Sequence, residues 1–209
     1  MKLNKVLALA LSGVMAVSML AGCSGNPGNG GQEGEEPPVA DTTIASVLND
    51  EQKDNEVKVN FTYSDSLEAA LQKTLAVVGN DADPDTVDVD GYLANVLDVE
   101  DVYMNCLYGY DGQSSGTKNT DGKQTAVVVY RSNEGLTDKG VVEKMYDSKL
   151  KTEMAKLTSE WLDSTVNNAV KWSFSYTGEV AAVTGVEGTQ NYTYVAVVVT
   201  CNTTHALAD

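Results

Sequence analysis

The chain has 209 residues, 42% of them hydrophobic, and a formal charge of −16 at pH 7: enough length for one domain with a real core, and enough negative charge to repel phosphate backbones. Nucleic acid is excluded as a partner on that ground. With one histidine, His205, and one arginine, Arg131, neither a histidine-based catalytic triad nor a multi-histidine zinc site can be assembled.

Residues 1–22 have the parts of an export signal. Lys2 and Lys5 precede an apolar run of about 15 residues, short of the roughly 20 that a permanent spanning helix needs, and the small residues Ala21 and Gly22 follow. Leu20-Ala21-Gly22-Cys23 then resembles a bacterial lipobox at all four positions. The resemblance implies that the Cys23 thiol is alkylated with diacylglycerol, that the leader is cut off, and that Cys23 becomes the new N-terminus. Acyl chains of the palmitate kind contribute roughly 0.8 kcal/mol per buried methylene, so a pair supplies on the order of 20 kcal/mol, a durable anchor on the outer face of the cell membrane. Loss of Lys2 and Lys5 makes the mature chain more negative still.

Residues 23–41 carry the lipidated cysteine and then glycine, proline, glutamate and small polar residues, which bury almost nothing and read as a flexible acidic linker. The single folded domain is expected over residues 42–209. A short helix is expected over residues 42–49, capped by Asp41. Val57, Val59, Phe61 and Tyr63 then alternate with polar residues as a strand does. Asp65 and Glu68 form a capping pair for a helix whose stripe is Leu67, Ala70, Leu71, Leu75 and Val78, with Gly79 as its stop. An aspartate-rich connector over residues 81–91 leads to a short helix over residues 92–97.

Met104, Cys106, Tyr108 and Tyr110 share one face of a strand expected to pair, across a long polar loop, with a second strand over residues 125–131. From Thr137 the spacing of Val142, Tyr146, Leu150, Met154, Leu157 and Trp161 predicts a long helix with a break between residues 158 and 168. Val170, Trp172, Phe174 and Tyr176 alternate in the clearest strand of the chain. A turn over residues 185–191 returns into an aromatic and β-branched strand over residues 192–201, and His205 falls in a polar tail expected to fray. This order predicts an α+β domain, an antiparallel four- to five-stranded sheet with helices packed on one face; a curved-sheet cone of the NTF2-like kind is the alternative. The stretch Leu97-Asp98-Val99-Glu100-Asp101-Val102, followed by strand, helix and closing hairpin, is also similar to small Gram-positive lipoproteins of unknown function.

Several constellations invite chemistry. Asp81, Asp83, Asp85, Asp88 and Asp90 suggest calcium, but an EF-hand register places Thr86 at the glycine position and Tyr92 or Leu97 at the final ligand, so a solvated loop is the expectation. Ser148 and Lys151 have the Ser-x-x-Lys spacing of penicillin-recognising enzymes without the downstream partners. Tyr103, Tyr108, Tyr110, Tyr176, Tyr192 and Tyr194 are candidates for a sugar-stacking platform or, more simply, for strand packing. Cys106 and Cys201 are free to pair or to pack as small hydrophobes.

No residue is assigned a catalytic, cofactor-binding or metal role, and no cofactor is called for; Cys23 is the one modification site. The expectation is a membrane-anchored extracytoplasmic lipoprotein acting as a non-catalytic binding module for an envelope protein or cell-wall component. The alternatives are a small-ligand pocket domain and a carboxylate-dependent hydrolase.

Overall fold

A computed structural model describes residues 43–99, 122–163 and 170–207, all within the compact unit Pro38–Asp209. Cys23, the lipobox, the linker, Asp41 and the strand expected around Cys106 lie outside the described residues.

The element order is α1 (Thr43–Glu51), β1 (Asn60–Tyr63), α2 (Asp65–Val78), α3 (Val89–Leu97), β2 (Gly122–Ser132), α4 (Asp138–Met145), a π-turn (Tyr146–Leu150), α5 (Lys151–Met154), β3 (Glu160–Asp163), β4 (Val170–Glu187) and β5 (Gln190–Leu207). The strands form a five-stranded sheet in the order β1-β4-β5-β2, with β3 also pairing with β4. β4 pairs antiparallel with β5 and β3, and β2 antiparallel with β5; β1 runs parallel to β4, the one departure from the expected antiparallel sheet.

The α+β class and the five-stranded sheet are those expected, but the helices, expected on one face, lie on both. The reason is in β5. Val195, Val197, Val199 and Cys201 point to one side, where they meet α1 and α4, while Tyr194, Ala196 and Val198 point to the other, where they meet α2 and α3. A strand apolar on both sides needs cover on both. Each fully buried Leu or Val is worth about 1.5–3 kcal/mol, so neither core can be left open to water.

The β4–β5 hairpin forms the spine. Each strand is 18 residues long, roughly 60 Å at the usual rise, and the turn is only Gly188-Thr189, with Gly188 at φ 61° as the first turn residue of a type II′ hairpin requires. β5 continues to Leu207, so His205 is not in a frayed tail. It lies opposite Trp172 with ring centroids 4.9 Å apart. At Gly178 an added Cβ would meet the Phe61 ring at 2.3 Å, so β4 needs a bare backbone where β1 lies against it.

Helix ends follow local chemistry. α2 is capped by Ser64, one residue before the expected Asp65: its Oγ accepts from Leu67 N at 3.3 Å, while Asp65 and Glu68 sit in the first turn where the helix dipole favours negative charge. Gly79 N–H closes the other end on Leu75 O at 2.8 Å. α3 begins at Val89, earlier than expected, because Asp88 accepts from Gly91 N at 3.0 Å.

The long helix ends sooner than expected. Val142, Tyr146, Leu150 and Met154 repeat every four residues, which drifts off one face of a helix with 3.6 residues per turn; the wider π-turn at Tyr146–Leu150 removes that drift and keeps all four buried. The helix stops after Met154, and Trp161, expected on its stripe, belongs to β3 and pairs with Trp172. Two aromatic residues directly across a ladder favour the strand over two more helical turns.

Candidate functional site

The connector between α2 and α3 carries Asp81, Asp83, Asp85 and Asp88; Asp81, Asp85 and Asp88 are exposed, as a solvated loop requires, yet the structure also fastens the segment to the sheet. Tyr194, rooted in β5, aims its hydroxyl at Ala82 O (2.7 Å) and Asn80 O (3.1 Å), and burial pushes its pKa up to about 12. Arg131, on β2 opposite Tyr194, donates from Nη1 to Asp81 O and from Nη2 to Asp83 Oδ2 at 2.8 Å, with its guanidinium 5.1 Å from the Tyr192 ring centroid. The Arg131 side chain is 18% exposed. Charge-assisted bonds in that setting contribute about 1.5–3 kcal/mol, so the one arginine of the chain is the main fastening of this connector.

Further along, Lys149 of the π-turn reaches Asp85 at 2.8 Å, and this bond holds the Asp85 carboxyl below its usual range. Both groups are well exposed, which limits the pair to about 1 kcal/mol or less. Asp83 Oδ1 accepts from Asp85 N at 3.2 Å and shapes the turn. Asp88 caps α3. Asp90, in the first turn of α3 and mostly buried, accepts the backbone N–H of Val129 through Oδ1 at 3.0 Å; desolvation raises its pKa to about 6, against the lowering effect of that hydrogen bond and of Lys149.

Asp83, Pro84, Asp85, Val129, Tyr130, Arg131 and Lys149 line a shallow notch of about 30 Å³, room for a water or two but far from the roughly 300 Å³ of a small-molecule site. The aspartates do not converge on a common point. Among the described residues no three His, Cys, Asp or Glu side chains are placed to hold a metal ion. The carboxylates of Asp83, Asp85, Asp88 and Asp90 instead each meet a cation or a backbone N–H.

The other candidates separate. Ser148 Oγ donates to Lys144 O at 2.7 Å and Lys151 Nζ to Asp147 at 3.1 Å, so the two are not a nucleophile and its base. Tyr176 and Tyr194 are buried in opposite cores, and Tyr192 lies under Arg131, so these three form no common platform; Tyr103, Tyr108 and Tyr110 lie outside the described residues. Cys201 is a free thiol, buried beside Thr203 Oγ1 at 3.8 Å, and burial pushes its pKa up.

Sequence reasoning treated Asp90 as one more residue of a solvated loop and gave Arg131 no role. The rarity of arginine was the available signal for the second; for the first there was none, because one aspartate among five looks the same in sequence whether it is wet or buried. Comparison with protein-family models, with curated proteins and with solved structures gives no match for this chain. No helix among the described residues is long and apolar enough to cross a membrane. The class the coordinates define is therefore architectural: an α+β domain whose mixed sheet is covered by helices on both faces.

Proposed function

We propose that this chain is a bacterial extracytoplasmic lipoprotein, held on the cell membrane by acyl chains on Cys23, whose folded domain is a non-catalytic binding module of the envelope. The observation that carries the reading is the four-residue match Leu20-Ala21-Gly22-Cys23 directly after a lysine-flanked apolar run. The non-catalytic part draws support from the connector, where Asp83, Asp85, Asp88 and Asp90 all serve structural bonds and the adjoining notch is too small for a sugar ring. A hydrolase working by two carboxylates needs them facing each other across a cleft that admits substrate.

Membrane fractionation of the native chain and of Cys23→Ser, with mass analysis of the native N-terminus, tests the anchor. The native chain is expected in the membrane fraction with a diacylglycerol adduct, and Cys23→Ser in the soluble fraction. Equal retention of both, with no adduct, overturns the anchoring. Capture of envelope components on the domain, alongside a glycan-hydrolysis assay, tests the rest: hydrolysis without any retained component overturns the binding role.

A further inference from the structure

We propose that the Asp90 carboxyl is a protonation-sensitive clip between α3 and β2 that holds most firmly when it is neutral. Asp90 Oδ1 accepts the Val129 N–H at 3.0 Å, a bond that fastens the first turn of α3 to the strand. The two cations nearby are already engaged: Lys149 with Asp85, and Arg131 with Asp83 and the Asp81 carbonyl. Asp88, two residues away, caps α3 through Gly91 N. Asp83 and Asp85 thus take the two cations, and Asp90, the most buried of the group, makes no ion pair among the described residues.

An ionised carboxylate has about four acceptor positions to satisfy, whereas a neutral acid needs fewer and still accepts through its carbonyl oxygen. Protonation weakens the Val129 bond, which favours the carboxylate, but removes the larger cost of holding a charge between the helix and the strand, so the joint as a whole is firmer with the neutral acid.

The groups facing Asp90 push in opposite directions. Desolvation is the largest influence and raises its pKa; the Val129 N–H and Lys149 lower it; Asp88 and Asp85 raise it again, for a value of about 6 against an ordinary 3.8. Well below pH 4, at about 3 and under, the carboxyl is neutral in both folded and unfolded chain and costs nothing. Between about pH 4 and 6 the unfolded chain ionises first, so the folding constant falls; above about 6 the loss is complete at about 100-fold. The clip is thus firmest in acid and loosest at neutral pH, opposite to an ion-paired carboxylate.

The test is chemical unfolding of the full chain at pH 4.5 and pH 7.5, native against Asp90→Asn, with ¹³C NMR titration of the native Asp90 carboxyl. Asparagine keeps an oxygen for Val129 N–H and carries no charge. The ratio of the Asp90→Asn folding constant to the native one is expected to rise about 25-fold between the two pH values, and the native carboxyl to titrate near 6. A ratio that does not change with pH, or a midpoint at or below 4, overturns the proposal. Should Asp90→Asn fail to fold, the midpoint on the native chain decides alone.

Discussion

On one flank of the sheet, α1 and the residue directly after it present two side-chain amides to β1 and the residue directly before it; on the other, α3 presents one carboxylate to β2. Asn49 Oδ1 accepts Phe61 N–H at 2.9 Å and its Nδ2 donates to Phe61 O at 3.0 Å, while Gln52 does the same for Val59 at 2.8 and 3.1 Å and also donates to Leu48 O. Residues three apart share a helix face and residues two apart share a strand edge, so a pair of amides stands in for a missing neighbouring strand. An amide both donates and accepts and does not titrate, so this flank is satisfied at any pH. The carboxylate on the other flank only accepts, and its cost changes with its charge. The same structural task, closing backbone groups of a strand with a helix side chain, gives a fixed joint in one place and a pH-dependent one in the other.

The hardest blow to this contrast falls at Gln52, which is fully buried. Gln52→Met keeps the volume and leaves the outward N–H and C=O of Val59 without partners. Each buried orphan costs about 1–3 kcal/mol, so a loss of about 3–5 kcal/mol in urea unfolding is expected, equal at pH 5 and pH 7.5. A loss below 1 kcal/mol means that water reaches this edge and the amides are not closing it.

Gly178→Ala presses on the same flank from inside the sheet. The new methyl meets the Phe61 ring, which must shift, and overpacking of this kind costs about 1–3 kcal/mol. Because Phe61 is also held by Asn49, the loss should shrink when Phe61→Leu makes room, and thermal unfolding of the double variant checks this. Additive losses would show that the ring is not the obstacle.

On the opposite flank, Arg131→Lys keeps the charge and loses the fork that joins Asp81 O to Asp83. A loss of about 1–2 kcal/mol is expected, with faster amide exchange over residues 80–87 and no change around Val59. Equal acceleration on both flanks would mean the two joints are not independent.

How much of this was legible depended on whether a residue's pattern or its partner decides its role. β4 and β5 were readable because alternation in Trp172, Phe174 and Tyr176 has one explanation. The second helical layer was missed, although the unbroken apolar run Tyr194-Val195-Ala196-Val197-Val198-Val199 has no polar face to leave wet and was the signal for it. Gln52 and Asn49 were not, because an amide on a short helix looks like any surface residue until β1 is laid beside it. Trp161 was misplaced because it follows Leu157 by four residues, a helical spacing that its pairing with Trp172 overrides. Cys23 is proposed on its neighbours in the chain alone, whereas the role of Asp90 depends on Val129, 39 residues away.

The smallest expected effect sharpens the comparison most. Lys149 is exposed and pairs with Asp85, so Lys149→Met should change stability at pH 7.5 by less than about 1 kcal/mol. Its charge nonetheless acts on Asp90 and lowers the Asp90 pKa. Removing it should move the Asp90 titration midpoint upward while leaving the amide flank untouched. Asp85, released from Lys149, should return upward toward its ordinary range at the same time. If Asp85 moves and Asp90 does not, Lys149 acts only through its own ion pair, and burial alone sets the pH response of the α3 joint.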